Sequence, residues 1–464
     1  MLEQERVLAC SPAAQAGGVQ AGMRRAGVLM LMAGATLYER APAREADALH
    51  AVAMALLQYT PLVAQAEEST LLIDIGASLR LFGGIRALCR RIRANLRALG
   101  FSSALSCAPT ARGAWLLARH GGARVTGMAS LVRRLDRLPS ALLPPARPFA
   151  PWFDGIGCVT LGDMRRLPRP GLQRRCGGAL LDMLDAAHGM TAELFDWIEA
   201  PTTFCARLDL FDRVESAEAL LFGARRLLLQ MTGWLCARQL AVGRITLQLE
   251  HERGRVARAP TVIEIVLAEP TWRDEHLVRL LKEQLGKQTL AAPVIGLCLE
   301  ALQVQPMAPF SAALFPEPGG SAQDQVRMLE LLVARLGLDN VLQAAPQADY
   351  RPELANVWLP VQQPVRAAQR AAQPPDVLGL PRPSWLLAKP VALLMRNHRP
   401  FYGSPLTMAS MPERIEAGWW SGAQTRDYFI AEGEDHAHYW VYRERIVGAA
   451  QEHAPRWFLH GLFG

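Results

Sequence analysis

Between residues 201 and 305 the apolar residues switch between two periods, and that pattern leaves few folds open to this part of the chain. ARLDLF alternates as a strand does. GRITLQLEH alternates cleanly, with Ile245, Leu247 and Leu249 on one side and Thr246, Gln248 and Glu250 on the other. TVIEIVL repeats the pattern, and PVIGLCLEAL supplies a last strand. Ser216 opens a long helical segment reaching about Gln239, and Thr271 with Asp274 is expected to cap another reaching about Leu285. The order β-α-β-β-α-β predicts a split-βαβ layer.

Upstream, LLIDIGASLRLFGG (Leu71 to Gly84) reads as a buried strand carrying one carboxylate, Asp74. A carboxylate in an apolar run must be paired, bind a metal, or survive from an older use. IRALCRRIRANLRAL places Ile85, Leu88, Cys89, Ile92, Leu96 and Leu99 on one helical face and Arg86, Arg90, Arg93 and Arg97 elsewhere, with Gly100 as a stop. SSALSCA is expected to form a strand and ARGAWLLARHGG a helix, which makes this region part of an α/β layer. In PWFDGIGCVTLGDMRRLPRPGLQRRCGG, Gly155 and Gly157 bracket a tight hairpin at Ile156. Thr160 and Asp163 have capping-box spacing, and Arg165, Arg166, Arg169, Arg174 and Arg175 cluster near the turn.

At 464 residues the chain is too long for one ordinary domain. Its net charge is +7, and the only lysines are Lys282, Lys287 and Lys389. An arginine excess suits phosphate, and it can equally reflect a GC-rich genome. The eight cysteines are scattered, with no CxxC pair or Cys/His ligand spacing, and so read as reduced thiols with no metal site. MLEQERVLACSPAAQ lacks a signal-peptide pattern, and GVLMLMAGATL is too short to span a bilayer, so we expect a soluble, cytoplasmic protein with no membrane partner.

Beyond Pro306 the chain is rich in proline and glycine and reads as a linker interrupted by one helix from about Ser321 to Leu336. SAALF there ends in an apolar pair, Leu314 and Phe315. The remainder is aromatic. RDYFIAE and HYWVYRE alternate around GEDH, a hairpin pattern. His436 and His438 lie on that hairpin, without a third ligand in view. The aromatics admit two readings: a core, or an exposed partner anchor at Trp419, Trp420, Trp457 and Phe458.

These segments, in this order, resemble the Y-family DNA polymerases and, within them, the ImuB-type accessory mutagenesis proteins. RVLACSPAAQAGGVQAGM resembles a fingers segment, LLIDIGASLRLFGG the palm strand, SCAPTARGAWLLAR the strand and lysine-bearing helix of that family, GIGCVTLGDMRRLP the thumb hairpin, and PERIEAGWWSGAQTRDYFIAE and RWFLHGLFG an ImuB-type tail. The resemblance implies an α+β, multidomain architecture. It divides as a fingers-like helical segment (1–60), a palm-like α/β segment (61–125), a helix-hairpin-helix thumb (126–200), a little finger (201–305), a linker with one helix (306–384) and a small β-rich C-terminal module (385–464).

The resemblance also implies where chemistry would lie. Two-metal nucleotidyl transfer needs carboxylates clamping both ions. Active members carry one acid on a first strand and an adjacent pair on a later one. Asp74 matches the first of the pair, Ile75 stands where the second should be, the chain begins after the first strand, and the helix from Ala111 has no lysine. No catalytic residue and no cofactor are therefore expected. Mg2+ would enter only if a longer N-terminus restored an active polymerase. Gly155, Gly157, Thr160 and the five arginines would contact primer–template DNA, or else form a structural turn with solvated arginines. Leu314 and Phe315 would bind a sliding clamp weakly, Ser311 standing where the motif glutamine should be, or would dock back on the little finger. The further partners implied are a RecA-like ImuA-type protein and an error-prone replicative-type polymerase. The expected role is a non-catalytic scaffold in damage-induced (SOS) translesion synthesis. The alternatives are an active translesion polymerase and an interaction module without DNA binding.

Overall fold

The structure is a computed structural model. It describes the chain except residues 68, 253–257, 308–321, 348, 364–380, 419, 421–423, 446–455 and 464. Leu314 and Phe315 of the clamp-like segment, and Trp419, lie outside the described residues. The chain divides into two compact units, Met1–Arg327 and Met328–Gly464.

The first unit begins with a short hairpin, β1 (Leu2–Glu3) and β2 (Arg6–Val7), followed by α1 (Pro12–Ala16) and α2 (Arg25–Leu31). Leu2, Val7, Val19 and Val28 close a small core of their own. Helix α3 (Pro42–Leu56) leads into an antiparallel hairpin, β3 (Val63–Ala66) and β4 (Thr70–Ile73). Helix α4 (Ile85–Ala98) buries Leu88, Cys89, Ile92 and Leu96, the face its periodicity specifies. Helix α5 (Ala111–Arg119) follows. SSALSCA corrects the expectation of a strand: it makes one isolated bridge, Cys107 to Arg124, and beside it the Ser106 hydroxyl, not a backbone carbonyl, accepts from the Ala123 N–H at 2.8 Å.

A helical layer comes next: α6 (Met128–Leu135), α7 (Ala150–Gly155), α8 (Leu161–Arg166), α9 (Arg169–Cys176) and α10 (Gly178–Ala187). They share a core built on Trp115, Leu131, Phe153, Met164 and Leu180. Then β5 (Cys205–Val214), α11 (Ala217–Arg238), β6 (Leu240–His251), β7 (Thr261–Thr271), α12 (Asp274–Gly286) and β8 (Val294–Pro306) form a four-stranded antiparallel sheet in the order β5-β8-β6-β7. Ile245, Leu247 and Leu249 are buried, while Val262, Val266 and Phe211 stay exposed. One sheet face is thus covered and the other is open. The α12 start differs from its expected cap: Arg273 is the N-cap residue, and Thr271 instead accepts from the Arg273 N–H at 3.2 Å.

Helix α11 also packs on α3. Leu229 joins the core of Val52, Met54, Leu56, Val63 and Leu88. The helices meet at Gly233, where a Cβ would lie 1.8 Å from the Met54 carbonyl oxygen.

Helix α13 (Ala322–Leu336) spans the boundary between the units. The second unit contains a hairpin in the segment expected to be linker, β9 (Leu342–Pro346) with β10 (Asn356–Pro360). Its main sheet holds β11 (Trp385–Arg396), β12 (Arg399–Tyr402), β13 (Ser404–Pro405), β14 (Thr407–Met408), β15 (Glu413–Ala417), β16 (Gln424–Glu432), β17 (His438–Arg445) and β18 (Trp457–Leu462). Strands β16 and β17 pair from Glu432↔His438 outward, and His436 sits in the turn at φ 61°, bonded to Glu432 at 2.7 Å. His436 thus lies in the turn, and His438 opens β17.

The aromatic core of this unit is Tyr428, Trp440 and Tyr442. Phe458 stacks on Tyr442 with centroids 5.0 Å apart, and Trp457 packs on Phe429 at 5.3 Å. Trp457 and Phe458 are half-buried, and Trp420 is exposed. Asp427 is buried between Arg414, Arg443 and Arg445, at 2.9, 3.0 and 2.7 Å. His460 is fully buried. Its Nδ1 meets the Tyr428 hydroxyl at 2.8 Å, and its Nε2 has no hydrogen-bond partner.

Candidate nucleic-acid interface

Asp74 does not lie in a buried strand. Strand β4 ends at Ile73, and Asp74 is exposed at the start of a turn, where its Oδ1 accepts from the Gly76 N–H at 2.9 Å. The cause is local. GAS after Ile75 turns the chain, and the carboxylate closes that turn on its own backbone, as aspartates do. Ile75 instead packs into the apolar cluster with Leu79 and Phe82. Among the described residues, Asp74 belongs to no group of three histidine, cysteine or carboxylate ligands close enough to share an ion.

The nearby α5 start is also closed. Both oxygens of Glu193 accept from its first N–H groups, Ala111 and Arg112, each at 2.8 Å, and Thr110 Oγ accepts from Gly113 at 3.2 Å. The Arg112 side chain pairs with Glu67 at 2.6 Å. A helix N-terminus can hold a phosphate through such N–H groups; here a carboxylate of the same chain holds them. Glu193 carried no sequence signal, because it reaches α5 across 82 residues.

The thumb-like hairpin folds as its residues specify. Helix α7 ends at Gly155, Gly157 adopts φ 70°, and Thr160 and Asp163 form a reciprocal capping box at 3.0 and 3.1 Å. The hydrogen bonds from Thr160 hold the Asp163 carboxyl below the usual range. The helix start is satisfied from within, since Leu161 and Gly162 donate to the carbonyls of Leu138 and Asp136 at 2.9 and 3.0 Å. Replacing Thr160 with alanine should cost about 1 kcal/mol in urea unfolding.

The five arginines separate into two groups. Arg165 pairs with Asp136 at 2.8 Å, Arg166 with Asp163 at 3.0 Å, and Arg169 bidentately with Asp185, its Nη1 and Nη2 donating to Oδ1 and Oδ2 at 2.9 and 2.5 Å. Hydrogen bonding to Arg169 lowers the Asp185 pKa. Arg174 and Arg175 are exposed and have no carboxylate partner among the described residues. Arg174 Nε donates to the Pro170 carbonyl at 3.3 Å, and Arg175 lies over Trp152 at 4.7 Å. They flank the Gly177–Gly178 turn, where α10 begins with no side-chain cap and no acid in its first turn. The uncompensated positive charge thus lies one hairpin further along than Gly155 and Gly157. A glycine pair after a basic helix end was the signal available for it.

The open sheet face is of mixed sign. Arg207 stands between Asp209 and Glu250 at 3.0 and 2.7 Å, and Arg244 pairs with Glu264 at 3.2 Å. Among the described residues, no helix is long and apolar enough to cross a membrane.

Residues 2–119 match the family model described as impB/mucB/samB. Over 475 aligned residues the chain is 27% identical to Protein ImuB of Caulobacter vibrioides strain NA1000 / CB15N, covering 96% of this chain and all of that protein. The same figures hold for Protein ImuB of strain ATCC 19089 / CIP 103742 / CB 15. Solved structures similar to it include a Dbh ternary complex (TM-score 0.36, 15% identity, 64% of this chain and 88% of that one). DinB from Sulfolobus solfataricus is another (TM-score 0.33, 14% identity, 62% and 85%). By sequence, the chain is similar to the Y-family polymerase-like proteins and, among them, to the ImuB type.

Proposed function

We propose that this chain is a non-catalytic accessory protein of translesion synthesis and damage-induced mutagenesis, holding primer–template DNA for a polymerase that performs the chemistry. The observation that carries this reading is the isolation of Asp74: one exposed carboxylate, bonded to its own turn, beside an isoleucine that faces the core. Two magnesium ions need several oxygen ligands converging on one point. The closure of the α5 start by Glu193 supports the same reading, since it leaves those N–H groups unavailable to a triphosphate.

DNA would be held through Arg174, Arg175 and the Gly177–Gly178 turn, with the Gly155–Gly157 hairpin as their support. The partners proposed with it are a sliding clamp, a RecA-like ImuA-type protein and an error-prone replicative-type polymerase. Of the three described anchor candidates, Trp420 is the exposed one, with the Arg351 guanidinium over its ring at 5.9 Å, and it is the residue proposed to meet a protein partner. A second reading, an interaction module without DNA binding, draws on the internal neutralisation of Arg165, Arg166 and Arg169 and on the acidic groups of the open sheet face.

Two assays separate the readings. Fluorescence anisotropy with a labelled primer–template at low salt should show binding. Replacing Arg174 and Arg175 with alanine should weaken it roughly tenfold or more and reduce the salt slope by about 2. Affinity unchanged by that double replacement favours the second reading. Primer extension with Mg2+ should give no incorporation; incorporation lost on Asp74→Ala would establish an active polymerase instead.

A further inference from the structure

The sequence spreads its cysteines without ligand spacing, yet the sheet brings two of them together across 93 residues. Cys205 opens the edge strand β5, and Cys298 lies on its neighbour β8. Glu300 is directly opposite Cys205 in the register, and Cys298 and Glu300, two residues apart, point to the same side. The Cys205 and Cys298 sulfurs are 3.6 Å apart, and Cys205 Sγ is 3.8 Å from Glu300 Oε1. All three ligand atoms lie within 4.8 Å of one another. Cys205 is exposed and the other two are half-buried, so the cluster opens to solvent on the uncovered sheet face.

These separations have a specific meaning in coordination chemistry. In a tetrahedral zinc site with Zn–S of about 2.3 Å and Zn–O of about 2.1 Å, adjacent sulfurs stand about 3.8 Å apart, and sulfur and oxygen about 3.6 Å apart. The two edges from Cys205 differ from these by about 0.2 Å, and the third, from Cys298 to Glu300, is within 4.8 Å. We propose that Cys205, Cys298 and Glu300 form a site for a thiophilic divalent cation of the zinc type, with water in the fourth position. Two thiolates select against magnesium and calcium, which take oxygen ligands. Glu250 is the other carboxylate nearby, and Arg207 holds it at 2.7 Å, away from ligand duty.

The protons must be accounted for. A thiol ligates as its thiolate. A cation binds by displacing the two thiol protons into solvent while the carboxylate joins unchanged. Affinity therefore falls as the pH is lowered. Binding ties the edge strand β5 to β8 and should slow fraying of that edge.

Cobalt(II) reports such a site directly. With the full-length chain reduced and freed of metal, one equivalent of Co2+ should produce a thiolate-to-cobalt charge-transfer band and the intense visible bands of tetrahedral cobalt, bleached by Zn2+. Cys205→Ser and Cys298→Ser should each abolish the charge-transfer band at one equivalent. Glu300→Gln should weaken binding by at least the roughly 10–100-fold that loss of an outer-shell partner costs, and Cys176→Ser should leave the spectrum unchanged. Circular dichroism on each variant establishes that the fold is kept. Two results would overturn the proposal: no cobalt–thiolate band in the reduced protein, or a band that persists in the Cys205→Ser, Cys298→Ser double variant. A Cys205–Cys298 disulfide with no cation binding after reduction falls under the first.

Discussion

Gly233→Ala should be the most damaging single-methyl change in the first unit. The added Cβ would sit 1.8 Å from the Met54 carbonyl oxygen, 2.8 Å from its carbon and 2.9 Å from the Ala55 Cα. All three are backbone atoms of α3, which no rotamer change can move. Either the two helices separate, pulling Leu229 from the shared core, or α3 distorts. Overpacking typically costs about 1–3 kcal/mol and occasionally more, and contact with backbone puts this case at the upper end. Urea unfolding of the first unit should show the loss as a lower midpoint. Gly171→Ala in α9 is the control: nothing lies within 4 Å of the new methyl group, so stability should hold or rise by about 0.4–1 kcal/mol. A neutral Gly233→Ala would mean that α3 and α11 do not meet as described.

The second large effect is acid sensitivity of the β-rich unit. Burial, the largest cause, holds the His460 pKa down to about 4; Glu353 opposes the shift and Arg426 adds to it. The unfolded chain would titrate this imidazole near 6.5. Between those values the unfolded state binds the extra proton, so stability is complete above pH 6.5 and is lost as the pH falls through 6.5 to 4, by roughly 3 kcal/mol. Amide hydrogen exchange in β16–β18 at pH 7.5 and at 4.5 measures it, after correction for intrinsic rates. His460→Phe should flatten the dependence. Asp427 acts in a different window: burial raises its pKa, but the three arginines overcome this and leave it at about 2. Its stabilisation is present above about pH 4 and disappears only as the pH drops from there toward 2. A transition seen only below pH 4 would therefore assign the acid lability to Asp427 and not to His460.

Much of the fold was legible because its signals are local. The period of α4, the Thr160–Asp163 box and the alternation of β6 and β17 each depend on residues a few positions apart. The β9–β10 hairpin carries no such signal, because its prolines and short strands resemble loop composition. The apolar pattern runs the strand on through Asp74, because Ile73 and Ile75 are both apolar and only the Asp74–Gly76 turn ends it. The candidate interface was legible by composition and only partly by charge state. Arg166 has Asp163 three residues away in its own helix, but the partners of Arg165 and Arg169, Asp136 and Asp185, are tertiary and carry no local signal that would separate these arginines from Arg174 and Arg175. Glu193, Cys205 and Cys298 were invisible for a related reason: sheet register and loop return, not spacing, bring them to their partners.

The seam between α3 and α11 has a mechanical corollary. With glycine against main chain, any swing of the β5–β8 layer away from α3 must first open this contact. Were nucleic acid held on this frame as proposed, parting the two layers to admit it would carry the cost of uncovering Leu229 and the apolar residues it meets.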